Sequence, residues 1–283
     1  MKSKTSSIKI RVYLLLIFAM CMLATELSGE VNEEMKQNDS TITDTSITQR
    51  KVKYLTATIS VQEEVEQNKR VLTQMQILEE ANDLFDKGQV LKAVSSFEQL
   101  TQEEPGNYLY YYYLGRAHVI LMGIYESLGE RSEMEESIEK AIRAFKKSIE
   151  LNGRFAESYS YLGFVYGRKI GLKGILAGPL YGAKIKKSHQ EALRLDSLNP
   201  IVQVNNGINY LYTPQMWGGD RKKAIECFEK AIQLAPNFVD GYIWLGTVYE
   251  AKDKKRAIEI YEKAVEVNPN SGWAKSKLEK FDK

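Results

Sequence analysis

Lys223-Ala-Ile-Glu-Cys-Phe228 and Arg256-Ala-Ile-Glu-Ile-Tyr261 follow one pattern, and Lys92-Ala-Val-Ser-Ser-Phe97 and Lys140-Ala-Ile-Arg-Ala-Phe145 repeat it. In each, the alanine and the aromatic residue are four apart, the spacing that places both on one face of an α-helix. Pro105, Pro236 and Pro269 follow Ala93, Ala224 and Ala257 by twelve residues, so three of these helices end alike. A second motif lies upstream: Tyr111-x-x-Leu114-Gly115, Tyr159-x-x-Leu162-Gly163-x-x-Tyr166 and Tyr242-x-x-Leu245-Gly246-x-x-Tyr249. Glycine inside a helix costs about 1 kcal/mol relative to alanine. Its return at one repeat position predicts that a second helix approaches there too closely for a side chain. Two motifs that alternate along the chain predict recurring pairs of helices.

These residues resemble the tetratricopeptide repeat, a helix–turn–helix unit of about 34 residues. Its first helix carries an aromatic, Leu-Gly and Tyr, and its second Ala, an aromatic, Ala and Pro. The resemblance implies a right-handed superhelical solenoid of about five helix pairs, at 74–107, 108–155, 156–199, 200–238 and 239–270, with 271–283 as a C-terminal capping helix. Ala81 replaces glycine in the first unit. In the third, Ile185 and His189 take the alanine and aromatic positions. The polar stretch Val61–Lys69 is read as extending or capping the first helix.

Three units exceed the repeat length, the second by about 14 residues, the third by about 10 and the fourth by about 5, all between the two helices of the pair. In a stacked array that turn always lies on one edge. The second unit reads as two equally lengthened helices, with Gly129 closing the first and Ser132-x-x-Glu135 opening the second as a capping box. Their projecting part is acidic, with Glu126, Glu130, Glu133, Glu135, Glu136 and Glu139 against Arg131. The insert of the third unit, 168–187, is its opposite: Arg168, Lys169, Lys173, Lys184, Lys186 and Lys187 surround an apolar, glycine-rich centre without an acid. Its first expectation is that the apolar residues pad neighbouring helices while the cations face the acidic projection. Docking of an acidic protein and contact with an anionic membrane are the alternatives. In the fourth unit, Thr213-Pro-Gln-Met-Trp-Gly-Gly-Asp220 is a turn in which Pro214 stops one helix and Asp220 caps the next. It is similar to a turn in a subgroup of exported bacterial repeat proteins.

The resemblance also implies where a partner would lie. The concave positions of the first helices fall on Leu78, Asn82 and Phe85, then on Tyr112, Tyr113 and Arg116, and next on Tyr161, Phe164 and Arg168. They continue with Asn205, Ile208 and Tyr212 and end with Ile243 and Trp244. From these the expected groove is Tyr112, Tyr113, Arg116, Tyr161, Phe164, Arg168, Asn205, Tyr212 and Trp244, an aromatic lining of the kind enriched at protein interfaces. Lys173, Lys184, Lys186, Lys187 and Trp217 form a second, edge docking set. The carboxylate clamp by which some relatives grip a peptide C-terminus is not reproduced. His118 and His189 sit at packing positions, and neither a nucleophile motif nor a metal-ligand cluster nor a dinucleotide fingerprint is present. The reading is therefore a non-enzyme, without cofactor or metal.

Charge and the N-terminus complete the picture. The 39 Lys+Arg and 37 Asp+Glu leave +2, which argues against a nucleic-acid partner. Lys2, Lys4, Lys9 and Arg11 precede an apolar run from Val12 to Ala24, too short for the ~20 residues of a membrane-spanning helix and laid out as a secretory signal, 1–29. Residues 30–60 are polar and read as a linker of low order. Export to a bacterial periplasm or envelope is expected. Lipidation at Cys21 is disfavoured because Met20, not a small residue, precedes it, and a retained membrane anchor is disfavoured too. The leading expectation is an exported scaffold that binds another protein. The alternative is a small-ligand accessory of an envelope transport system, which would need a closed apolar cavity.

Overall fold

The computed structural model describes residues 69–84 and 86–281. The expected signal, linker and Cys21, and the groove candidate Phe85, lie outside the described residues. The backbone divides into a unit ending at Thr73 and a second, Gln74–Lys283; the second carries the repeats. After a first helix at 69–84 (α1) come α2 (Lys87–Glu103), α3 (Tyr108–Leu128), α4 (Arg131–Leu151), α5 (Ala156–Lys173) and α6 (Gly178–Leu195). They are followed by α7 (Pro200–Tyr212), α8 (Arg221–Leu234), α9 (Val239–Tyr249), α10 (Lys254–Val267) and α11 (Gly272–Glu279). Short 3-10 turns, Ile175–Ala177 and Gln215–Trp217, precede α6 and α8. No strand occurs among the described residues. Consecutive helices pack as pairs and the pairs stack, an all-α solenoid of about five pairs closed by α11.

Local chemistry sets the boundaries. Asp86, Asp220 and Asp253 cap the second helices of three pairs, each carboxylate accepting from backbone N–H groups of the first turn, donors that would otherwise have no partner. Asn107 and Asn199 do the same for α3 and α7. Helix α3 ends as expected at Gly129, whose φ of 73° lies in the left-handed region, while the N–H of Glu130 bonds back to the Tyr125 carbonyl at 2.9 Å. The expected capping box at Ser132 does not form. Helix α4 already begins at Arg131, with Glu130 in the cap position and no side-chain cap bond. The tight turn made by Gly129 leaves Ser132 inside the first turn.

The repeated glycines have the expected physical cause. A Cβ built on Gly115 would stand 2.6 Å from the Phe145 ring, on Gly207 2.5 Å from Phe228 and on Gly246 2.5 Å from Tyr261. On Gly163 it would meet Nε2 of His189 at 2.8 Å, so the histidine takes the aromatic place of its unit. In the fourth unit the glycine follows Asn206 rather than leucine. Phe145, Phe228 and Tyr261 are fully buried. The first helix of each of these four pairs thus presents bare backbone to the ring of the second.

Two long-range features shape the unit. Helices α3 and α4 have 21 residues each, against 11 and 14 in α9 and α10, so the second pair projects. The second is a hydrogen bond in which Asn268, in the turn after α10, donates to the Asp83 carboxylate of α1 at 2.9 Å, so the first and last pairs touch.

Candidate interaction surfaces

The face formed by the first helices of the pairs is occupied on its N-terminal half by its own side chains. Tyr112 and Tyr113 are buried. Tyr112 packs edge-on against Phe155 at 4.9 Å and donates its hydroxyl proton to Glu157, whose second oxygen accepts from Asn199 at 2.9 Å. Tyr161 stacks on Phe145 at 5.4 Å, and burial pushes its hydroxyl up to about 12. Arg116 pairs with Glu79 and lies over the Tyr161 ring at 5.7 Å. Asp240, in the first turn of α9, is pushed up to about 6 by burial, with the Glu79 carboxylate adding to it and Arg116 opposing. Asn205 is buried and donates to Ser160 at 3.0 Å. The structure therefore places Tyr112, Tyr113 and Asn205 inside the array rather than on its surface. Rings as large as tyrosine, stacked from pair to pair, close the lining that smaller residues would leave open.

The C-terminal half is different. Tyr212, the last residue of α7, is 65% exposed. Its ring meets Trp244 edge-on at 6.1 Å, and Trp244 in turn meets Trp273 of α11 at 5.2 Å. Phe164 and Trp244, both partly buried, lie against the same core of Val204, Ile208 and Phe228. Burial raises the Tyr212 hydroxyl, with Arg168 opposing and Glu250 and Glu126 adding, so charges of both signs border the strip. Trp273 belongs to this strip although no repeat position announces it; its only sequence signal is a tryptophan in a short polar helix.

On the elaborated edge, the acidic projection and the basic insert are in contact. Arg168 pairs with Glu126, Lys169 with Glu139, and Lys173 with Glu135 at 2.9 Å. Arg131 adds a 2.6 Å bond to the carbonyl of Leu172. A cleft of about 420 Å³ lies beside these pairs, lined by Tyr125, Met134, Arg168 and Leu172 among others. Lys184 lies over the rings of Tyr166 and Tyr181, while Lys186 and Lys187 are exposed. The expectation that the insert's apolar residues pad the helices holds for Tyr181 and Ile185 but fails for Leu176 and Leu180, which are 92% and 60% exposed. The turn Ile175–Ala177 carries Leu176 away from the helices on either side. Trp217, half exposed, lies against the backbone of Gly178.

His118 and His189 are core residues. Burial brings each imidazole down to about 4, with Lys140 and Arg143 adding to the effect at His118, and both Nδ1 atoms are buried without a hydrogen-bond partner. A second cleft of about 420 Å³ is lined by Ile232, Tyr242, Leu245 and Ile260 and by charged residues of α8 and α10. Both clefts are surface features, and the small-ligand alternative finds no support in them. Among the described residues, no three His, Cys, Asp or Glu side chains converge as metal ligands, and no helix is long and apolar enough to cross a membrane.

Comparison with known proteins agrees with this geometry. Tetratricopeptide repeat models match residues 78–121, 218–238 and 239–271. Those segments carry tetratricopeptide repeats. A crystal structure of TTC0263, a thermophilic repeat protein of Thermus thermophilus, is similar over 73% of this chain and 97% of its own, at 19% identity and a TM-score of 0.53, and shows the shared fold. The crystal structure of MamA matches over 65% of this chain and 91% of its own, with 24% identity and a TM-score of 0.38. That of YrrB, described as a repeat protein with an unusual peptide-binding site, matches over 76% and 95%, with 17% identity and a TM-score of 0.36. No curated protein matches the sequence.

Proposed function

We propose that the chain is an exported, non-enzymatic scaffold that captures another protein on the aromatic strip Phe164, Tyr212, Trp244 and Trp273. Tetratricopeptide arrays typically bind other proteins and are generally not enzymes, and stacked repeats offer extended surfaces for the purpose. The observation that carries the site is the exposure of Tyr212 beside two partly buried tryptophans. Tyrosine and tryptophan dominate binding hot spots because they contribute a large contact area with little conformational freedom to lose. The basic start and short apolar run of the N-terminus support export. A photocrosslinking residue at position 212 should give a discrete adduct with a protein from the source cell envelope, and Trp273→Ala should remove that adduct. The same residue at Leu91 or Leu234, exposed positions on second helices, should not give it. Equal adducts at all three positions would refute the strip.

A further inference from the structure

The two 3-10 turns of the elaborated edge end in apolar side chains that nothing in the unit covers. Leu176 is 92% and Met216 83% exposed, and Leu180 and Trp217 are at least half exposed. They form one patch, because the Trp217 ring touches Gly178 closely enough that a Cβ there would lie 3.3 Å from it. Exposed leucines scattered singly are ordinary, but large apolar residues gathered at one place mark a contact surface. Leu176, Met216 and Trp217 stand on the turns and Leu180 in the first turn of α6, and neither cleft described above is lined by them. A rigid protein would need matching pockets for such tips, whereas the fluid acyl boundary of a bilayer accepts any projecting apolar side chain.

The surrounding charge points the same way. On α6, Leu180, Lys184 and Lys187 follow one another at helical spacing on the exposed face, with Lys186 beside them. The lysines therefore lie about 6–10 Å behind Leu180 along the helix axis, within side-chain reach of lipid phosphates when Leu180 sits at the acyl boundary. The neighbouring acids are already engaged by other cations: Glu126, Glu135 and Glu139 by Arg168, Lys173 and Lys169, and Glu191, one turn beyond Lys187 on α6, by Arg194. We infer that this edge docks on an anionic membrane surface, with Leu176, Leu180, Met216 and Trp217 entering the interface and Lys186 and Lys187 facing the phosphates. The inference is independent of protein capture on the aromatic strip and assigns the two faces different tasks.

The test uses the full chain and vesicles of phosphatidylcholine with and without phosphatidylglycerol, so that the apolar run at 12–24 is common to every variant. Cosedimentation should require phosphatidylglycerol and weaken with salt. Lys186→Glu with Lys187→Glu should lower the affinity by about thirtyfold or more, and Leu176→Ser with Met216→Ser by about tenfold or more. All four positions are exposed, so circular dichroism should be unchanged. Bromine-labelled lipid should quench tryptophan fluorescence in the parent, and Trp217→Phe should abolish most of that quenching. Binding that ignores both pairs of substitutions would overturn the proposal. So would a dimer broken by Leu176→Ser with Met216→Ser in the absence of vesicle binding, which would assign the patch to a second copy. Lysine-dependent binding of polyglutamate without vesicle binding would assign it to an acidic protein.

Discussion

Replacing Gly115 by alanine isolates the contact on which each helix pair depends. The added Cβ would stand 2.6, 2.8 and 2.9 Å from three ring atoms of Phe145, where ordinary contact begins at about 3.5 Å. The ring or one of the helices must therefore shift by roughly 1 Å. The ring has nowhere to go: Phe145 is fully buried, stacked on Tyr161 at 5.4 Å and tilted against Tyr112 at 6.2 Å. Overpacking of this kind costs about 1–3 kcal/mol, whereas exchanging glycine for alanine in a helix contributes about 1 kcal/mol in the other direction. Gly123 provides the control. It lies in the same helix, and a Cβ added there would meet nothing within 4 Å. Gly123→Ala gains the propensity without the clash, so the difference between the two variants is the overpacking alone, about 1–3 kcal/mol.

Thermal unfolding followed by the helical circular dichroism signal reads this directly. At about 2–4 °C per kcal/mol for a unit of this size, Gly123→Ala should melt a few degrees above the parent. Gly115→Ala should melt about 2–12 °C below Gly123→Ala. Helix α5 repeats the experiment, since a Cβ on Gly163 meets the His189 ring and one on Gly167 meets nothing. Equal melting temperatures within each pair of variants would show that the rings do not hold the helices at glycine distance, and would refute the account of the repeat.

Three further outcomes follow from the buried and paired charges. His189→Phe, which restores the ring of the other pairs and removes an unpartnered Nδ1, should stabilise the unit at pH 7 by about 1 kcal/mol, measured by urea unfolding. Because both imidazoles stay neutral in the folded state down to about pH 4, the unfolded chain binds more protons below pH 6.5, and stability is lost as pH falls from 6.5 towards 4. Asp240, raised to about 6, acts oppositely between pH 6 and 3.8, so Asp240→Asn should steepen the acid loss of melting temperature and His189→Phe should flatten it. Lys169→Ala, at a side chain 11% exposed, should cost about 1–2 kcal/mol, whereas Lys173→Ala, at one 46% exposed, should cost less than about 0.5. Urea unfolding in low and high salt separates the two.

The pairing of helices was legible because it rests on local chemistry. The alanine–aromatic spacing, the glycines and the aspartate caps each act within one helix or across one turn, and the same chemistry recurs from pair to pair. His189 was placed correctly by register alone, and its contact with Gly163 is the one Phe228 makes with Gly207. The candidate site was less legible. A repeat register says which side of a helix a residue occupies, but not whether its neighbours are large enough to cover it. Tyr112 is covered because Phe155, in the connection before α5, and Tyr161 converge on it, and no position within a single repeat encodes that convergence. Trp273 was invisible for the complementary reason: it lies in α11, beyond the last repeat, and acquires its place only through Trp244. The exposure of Leu176 likewise depends on the path of a three-residue turn, which apolar composition does not fix.

The net charge of +2 conceals an arrangement with mechanical consequences. Three ion pairs and the bond from Arg131 to Leu172 tie the long α3–α4 projection to α5, so the projection and the basic insert are joined at several points along their length. The more exposed pairs contribute little by themselves, but all three join the adjacent ends of α3 and α4 to α5, and fixing one lowers the conformational freedom that the others must remove. Pairing also divides the lysines of the insert into two sets. Those on α5 pair with acids of the projection, while Lys184, Lys186 and Lys187 on α6 make no ion pair with it and lie beyond Leu180 and the two turns. Had the acids lain one helix further along, they would have neutralised α6 instead, and the edge would carry apolar tips without a surrounding positive field. The near-neutral total is therefore compatible with a strongly directional surface, and the direction is set by which lysines the acidic projection can reach.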